Sequence, residues 1–257
     1  MSAPPITRAV PVARESSDLP GRGERLLVVA DDLDIADLLR SGLRFFGFDV
    51  RVARNASEAL AVAEEFRPHL LLSDVTLPDV DGFVLCREIR RTFDPIGVVF
   101  MTDRDRIEDA TVGLSVGGDD YISKPFSLDE VIARVQAVLR RLEPPRRADN
   151  DRHAATGDPV LRFADLEMDQ DSREVRRGGE FIDLSPTEFA LLRYLLLNGG
   201  RVVSRKQILS HVWSYSSSVE TTIVDTYVSY LRKKIDRFDL PLIHTVRGVG
   251  ITLRAAR

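Results

Sequence analysis

A single cysteine, Cys86, in a chain of 257 residues excludes an internal disulfide framework and any multi-cysteine zinc or iron–sulfur site. No apolar run approaches the roughly 18 residues that a membrane-spanning helix needs. The first 23 residues lack the continuous apolar stretch of a secretion signal, so a cytoplasmic protein without membrane contact is expected. Histidine is sparse: His69, His153, His211 and His244 are dispersed without ligand spacing, and none is assigned a metal or catalytic role. There is no internal repeat and no heptad register long enough for a coiled coil. The lone tryptophan, Trp213, and Cys86 lie on apolar helical faces and read as core.

What the chain does have is apolar material for folded cores, 44% of its residues, beside 30% charged residues. Its length corresponds to about two domains at roughly 150 residues each. The net charge of −4 conceals an asymmetry. Residues 24–142 carry 15 basic and 22 acidic side chains, whereas residues 185–257 carry 11 basic and 5 acidic ones. An acidic unit followed by a basic one points to a localised polyanion contact in the second half.

Two stretches interrupt the regular patterning. Residues 1–23, with Pro4, Pro5, Pro11, Pro20, Gly21 and Gly23, read as a flexible tail, and residues 143–159, polar and containing Pro144, Pro145 and Gly157, read as a linker. Between them, apolar runs at 26–29, 50–52, 70–73, 98–101 and 121–123 alternate with amphipathic helices. The first helix carries the stripe Ile35, Leu38, Leu39, Leu43, Phe46, and the last carries Leu128, Val131, Ile132, Val135, Val138, Leu139. Alternating β and α units predict an α/β domain over 24–142, a doubly wound sheet of five parallel strands. Residues 160–257 begin instead with short strands at 160–163, 166–168, 174–177 and 181–184, with Gly178-Gly179 as a hairpin turn. Three helices follow, opened by the capping box Ser185-Pro186-Thr187-Glu188, by Ser204 with Gln207, and near Val219, and a terminal hairpin turns at Gly248. That order predicts an α+β winged helix.

In parallel sheets, ligands bind beyond the carboxyl ends of the strands. Asp31 and Asp32 follow the first strand, Asp74 the third, Thr102 the fourth and Lys124 the fifth, so these side chains should converge. Clustered carboxylates repel unless a hard divalent cation sits among them. A hydroxyl and an ammonium beside them suit a phosphoryl group, and the set describes a carboxylate that accepts phosphate.

The runs LLVVADD, LSDVTLPDVDG, FMTDR and DDYISKPF resemble a two-component receiver domain over residues 24–142. The resemblance implies a flavodoxin-like strand order 2-1-3-4-5 and phosphorylation of Asp74 by a sensor histidine kinase. It also implies Asp31 and Asp74 as ligands of Mg²⁺ or Mn²⁺, with Asp32 a further candidate, and Thr102 and Lys124 as phosphate contacts. Tyr121 becomes the switch aromatic, the Lys124–Pro125 bond is expected cis, and Pro78, Asp81 and Gly82 complete the loop after the phosphoacceptor. The chain departs from the pattern at Ala30, where receivers carry an acid, and weaker Mg²⁺ binding or an altered metal preference is expected.

LSPTEFALLRYLLLNGGRVVSRKQILSHVW, VDTYVSYLRKKI and IHTVRGVG resemble the winged-helix effector domain of OmpR/PhoB-type regulators over residues 160–257. This implies promoter DNA as a partner, with Thr222, Ile223, Tyr227, Tyr230 and Arg232 at recognition-helix contact positions and Lys233 at phosphates. In the wing, Thr245, Arg247 and Gly248 approach DNA, while Ile251 stands where relatives carry an aromatic. A phosphorylated homodimer is expected through the fourth helix, fifth strand and fifth helix, using Asp119, Asp120, Glu130 and Arg134. Asp120 and Arg134 would bridge the subunits, and Glu130 would lack a basic mate, since Ala110, Ser115, Val116 and Gln136 replace expected charges. The expected function is a phosphorylation-controlled transcriptional regulator on tandem half-sites, with RNA polymerase a further partner and no enzymatic activity beyond its own phosphotransfer and dephosphorylation. Two other readings stay open: a constitutive DNA-binding protein whose receiver is metal-impaired by Ala30, and an enzyme that uses Asp74 to hydrolyse small phosphate esters.

Overall fold

The computed structural model describes residues 19–93, 95–103, 117–142, 159–213, 222–237 and 240–255. Strands β1 (Arg25–Val29), β2 (Asp49–Ala53), β3 (Leu70–Asp74), β4 (Gly97–Asp103) and β5 (Asp120–Lys124) form one parallel sheet in the order β2-β1-β3-β4-β5. The inner strands are apolar at nearly every position because both faces are covered. Leu26, Val28, Leu70, Leu72, Val99 and Ile122 pack with α1 (Leu33–Phe45) and α4 (Leu128–Leu142). Leu27, Val29, Leu71, Val98 and Phe100 pack with α2 (Ala56–Phe66) and α3 (Gly82–Phe93) on the other face.

Two expectations change here. Leu38 is 54% exposed, because the buried stripe of α1 narrows to Ala36, Leu39 and Leu43 and one residue of rotation carries Leu38 out of it. The end of the expected flexible tail is docked: Gly21 N–H donates to Phe46 O (2.8 Å), Gly23 N–H to Gly47 O (2.9 Å), and the Gln136 amide to Pro20 O (3.0 Å). Residues 1–18, the stretch 104–116 with Ala110, Ser115 and Val116, and linker residues 143–158 lie outside the described residues.

The second domain opens with an antiparallel sheet, β6 (Val160–Phe163), β7 (Leu166–Asp169), β8 (Val175–Arg177) and β9 (Glu180–Phe181). Gly178 and Gly179 both adopt positive φ, 57° and 85°, as a two-residue hairpin requires. The fourth strand is shorter than expected, since Ser185 soon caps α5 (Pro186–Leu197) with a complete capping box. Next, α6 (Arg205–Ile208), capped by Ser204 and Gln207, runs into a π-helical turn over Leu209–Trp213. Helix α7 (Thr222–Ile235) and the hairpin β10 (Ile243–Val246) and β11 (Gly250–Leu253) complete the winged helix. Buried Arg177 donates to Ile235 O (2.5 Å) and to Leu240 O, so a cation closes the carboxyl end of α7.

The hairpin is fastened to the segment before α6 by reciprocal Val203 and Ile251 backbone bonds, both 2.9 Å. At neighbouring Gly250 an added Cβ would collide with the Val203 carbonyl, which cannot move without breaking that bridge. Gly250→Ala is therefore expected to destabilise the effector domain by about 1–3 kcal/mol, read as a lower midpoint in its thermal unfolding.

Candidate functional site

Asp74 ends β3, and only 3% of it is exposed. Lys124, ending β5, places its Nζ 2.5 Å from Asp74 Oδ1. Lys124 is thus the charged partner of this buried carboxylate. Burial pushes the Asp74 carboxyl up to about 6 against the opposing pull of Lys124, and Asp31 and Asp103 push it further the same way. Thr102, also buried, stands one residue from the end of β4, in register with Ser123 beside Lys124. The sequence-derived convergence of Asp31, Asp74 and Lys124 is present, and the Lys124–Pro125 bond is cis. Asp103 was passed over in the sequence; its place next to Thr102 in FMTDR was the available signal.

The loop after β3 is drawn tightly over Asp74. Gly82 N–H donates to Val75 O (2.8 Å), and a Cβ at Gly82 would collide with the Asp74 carbonyl oxygen. Asp81 Oδ1 accepts from Phe83 N (2.8 Å), opening α3. Asp79 accepts from Ala56 N (3.0 Å) and Ser57 N (2.9 Å), and these bonds to the amino end of α2 hold its carboxyl down at about 2. Cys86 lies beneath in the core, where burial pushes its thiol up to about 11 and leaves it unreactive.

The donor set suits a hard cation in part. The Asp74 carboxylate and exposed Asp31 are close enough to act on each other at this edge, while buried Ala30 offers no side-chain oxygen. Asp32 has a structural task as well: its Oδ1 caps α1, accepting from Asp34 N (2.9 Å) and Ile35 N (3.2 Å). Among the described residues no group of three or more His, Cys, Asp or Glu is gathered as a metal cage. Mg²⁺ needs none, since it keeps several waters and binds through one or two carboxylates.

Residues 26–136 match the family model for the response regulator receiver domain, and residues 178–253 match that for the C-terminal part of transcriptional regulatory proteins. The chain is 44% identical over 230 residues to the transcriptional regulatory protein TrcR of Mycobacterium tuberculosis, covering 90% of this chain and 86% of that one. It is 41% identical to the probable transcriptional regulatory protein TcrX of the same organism, covering 92% and 98%. The chain is a response regulator of the OmpR/PhoB type. Its shape agrees: the structure of a RitR mutant superposes with a TM-score of 0.73 at 28% identity, covering 91% of this chain and all of that one. Membership in this family implies transcriptional regulation, with a cognate histidine kinase and promoter DNA as partners.

The candidate DNA-contact residues of this response regulator are only partly exposed. Ile223, Tyr227 and Tyr230 do not project from α7; they are 2%, 0% and 7% exposed and fill the core with Trp213, Val224 and Leu231. The Tyr227 hydroxyl donates to Gly118 O of the receiver (2.6 Å), and burial raises its pKa well above the ordinary phenol value, keeping it a donor. The outward positions are Asp225, Ser229 and Lys233, with Thr226 half-buried beside them. Thr226 and Ser229 do not figure in the sequence expectation, although their spacing relative to the apolar residues of α7 places them on its outer side. Thr222 begins α7, and its side chain lies outside the described residues. Arg232 is tied to the wing, donating to Ile243 O (3.1 Å) and Thr245 Oγ1 (2.7 Å), while Arg247 and Gly248 are exposed at its tip.

The charged residues expected at a dimer face are engaged within one chain. Asp119 and Asp120 are fully buried. Within the chain Arg134 bonds Asp120 Oδ1 (3.2 Å) and Glu130 Oε1 (2.8 Å), so Glu130 has a mate one helical turn away.

Because the folded-state pKa of Asp74 lies above its unfolded value, the folded protein takes up a proton that the unfolded chain does not as pH falls through 6. The ionised carboxylate thus destabilises the metal-free protein at neutral pH. Asp74→Asn, which retains an oxygen for Lys124, is expected to be more stable than wild type by on the order of 2 kcal/mol at pH 7.5 without divalent cations. Denaturant unfolding should show that advantage shrinking by pH 5.

Proposed function

We propose that this response regulator is switched by phosphorylation of Asp74 and then binds tandem promoter half-sites as a dimer. The buried Asp74 carboxylate at the end of β3, paired with the Lys124 ammonium, carries this reading. In the transfer, an Asp74 oxygen attacks phosphorus, the bond to the kinase histidine nitrogen breaks, and the nitrogen keeps the electron pair. A divalent cation, Mg²⁺ or Mn²⁺, held by Asp31 and Asp74, supplies neutralisation of the transferring oxygens. Lys124 and the Thr102 hydroxyl contact those oxygens, and a carboxyl group titrating near 6 is ionised at pH 7 yet more nucleophilic than an ordinary aspartate. No activity beyond this phosphotransfer and its reversal by water is assigned. The reading places the protein in the cytoplasm and admits RNA polymerase as a further partner.

For DNA, α7 enters the major groove with Thr226 and Ser229 toward base edges and Lys233 toward phosphate. Arg247 and Thr245 of the wing reach the adjoining backbone or minor groove. Ala30 favours a second reading, a constitutive DNA-binding protein, because it withdraws one carboxylate from the cation.

Gel-shift binding to a selected DNA pool separates these readings, using wild type and Asp74→Ala incubated with a phosphodonor in Mg²⁺ or Mn²⁺ while phosphorylation is followed by mass. Tighter, cooperative binding by phosphorylated wild type alone is expected; equal binding by both proteins establishes the constitutive reading instead. Ala30→Asp is expected to raise Mg²⁺ affinity, read by cation titration of the unphosphorylated protein. Arg247→Ala should weaken binding to all sequences and lower the slope of log affinity against log salt by about 1.

A further inference from the structure

Ala30 leaves one flank of Asp74 without a side-chain carboxylate, and Asp103 supplies one on the other flank. Strand β3 lies between β1 and β4, so the residues beside Asp74 come from these two strands. Val29 pairs with Ser73, which sets Ala30 level with Asp74 on the β1 side. Asp74 itself pairs with Met101 of β4, and Asp103 follows two residues later. Residues two apart on a strand point to the same face, and paired residues on neighbouring strands share a face. Ala30 and Met101 both pack on the face covered by α1 and α4, so Asp74 and Asp103 belong to that face as well. Lys124, which pairs with Asp103, completes the row.

Other acids near this edge are committed to the backbone. Asp32 caps α1, Asp79 holds the amino end of α2, and Asp81 opens α3. Asp31 and Asp103 are exposed, and among the described residues neither side chain has a hydrogen bond or an ion pair. Both act on Asp74 as like charges, Asp31 from the β1 side and Asp103 from the β4 side. Carboxylates so placed repel one another, and a divalent cation relieves that repulsion. With Asp31, Asp74 and Asp103 ionised against the Lys124 ammonium, the edge carries two net negative charges, the complement of a divalent ion. Without Asp103 it would carry one.

We propose that Asp103 is the third acid of the cation site, taking from the β4 flank the part that Ala30 leaves open on the β1 flank. The inference rests on the cation of the proposed function. The three carboxylates do not close into a cage of their own. Mg²⁺ does not require one: it keeps several waters, and an acid outside its direct ligands accepts from a water that the ion holds. Because Asp103 follows Thr102 and pairs with Lys124, the added charge lies on the flank that also carries the two phosphate contacts. Ala30 then marks a site whose acid has moved, and it ceases to be an argument for a receiver that works without metal.

Mn²⁺ is the probe, with the free ion counted by electron paramagnetic resonance in solutions of the unphosphorylated full chain, and Mg²⁺ is read by competition. Asp103→Asn should weaken binding of both ions roughly tenfold, while Asp103→Glu stays within about twofold of wild type. Adding Ala30→Asp to Asp103→Asn should restore most of the loss, because the acid returns on the opposite flank. Glu64→Gln, which removes an exposed acid from α2, should leave the affinity unchanged. Equal affinity in wild type and Asp103→Asn overturns the proposal, and so does an equal loss in Glu64→Gln, which would reduce the effect to net charge. If wild-type Asp74 gains no phosphate mass from a phosphodonor, the proposed function fails while the cation affinities still decide the part played by Asp103.

Discussion

Because β1 to β5 run in one direction, the residues that end them meet along one edge although they are distant in the chain. Asp74, Thr102, Asp103 and Lys124 are each the last or next-to-last residue of a strand, so their spacing is fixed by backbone pairing rather than by loops. The register between β4 and β5 sets Thr102 and Lys124 on adjacent rungs. The start of β5 matters equally, for it brings Gly118 and Asp119 to the domain joint, and the sheet thereby spans the distance between chemistry and response.

Two buried carboxylates in this sheet are treated in opposite ways. Asp119 is saturated: Arg90, the Val98 amide and the Thr187 amide occupy its oxygens, so its charge is fixed and structural. Asp74 is buried too, with Lys124 as its charged partner, and burial raises its proton affinity in spite of that partner. Ala30 adds no side-chain carboxylate to the edge at which Asp31 and Asp103 act on Asp74.

The receiver sheet was legible because short apolar runs alternate with helical stripes, and its site because those runs end in acids, a hydroxyl and a lysine. Both effector capping boxes were legible as local sequence. What escaped the reading was direction. Tyr227 and Tyr230 carry polar tips that suit either a groove or a core, and the neighbouring Trp213 decides for the core. Asp32 has the chemistry of a ligand and of a helix cap, and two free amides at the start of α1 claim it. The Glu130–Arg134 pair follows from i, i+4 spacing, yet a resemblance-based assignment to a second subunit obscured it. Arg141 illustrates the limit: its burial depends on a surface met only after the chain has passed through an entire linker.

Helix α3 has a position that gives it mechanical meaning. It starts at Gly82, pressed against the Asp74 carbonyl, and eight residues later offers Arg90 to Asp119. At 1.5 Å per residue, that is a rod of about 12 Å whose ends touch the strand of Asp74 and the Asp119 carboxylate. A helix does not compress, so these two buried acids, on different strands, are held at a fixed separation by a single element.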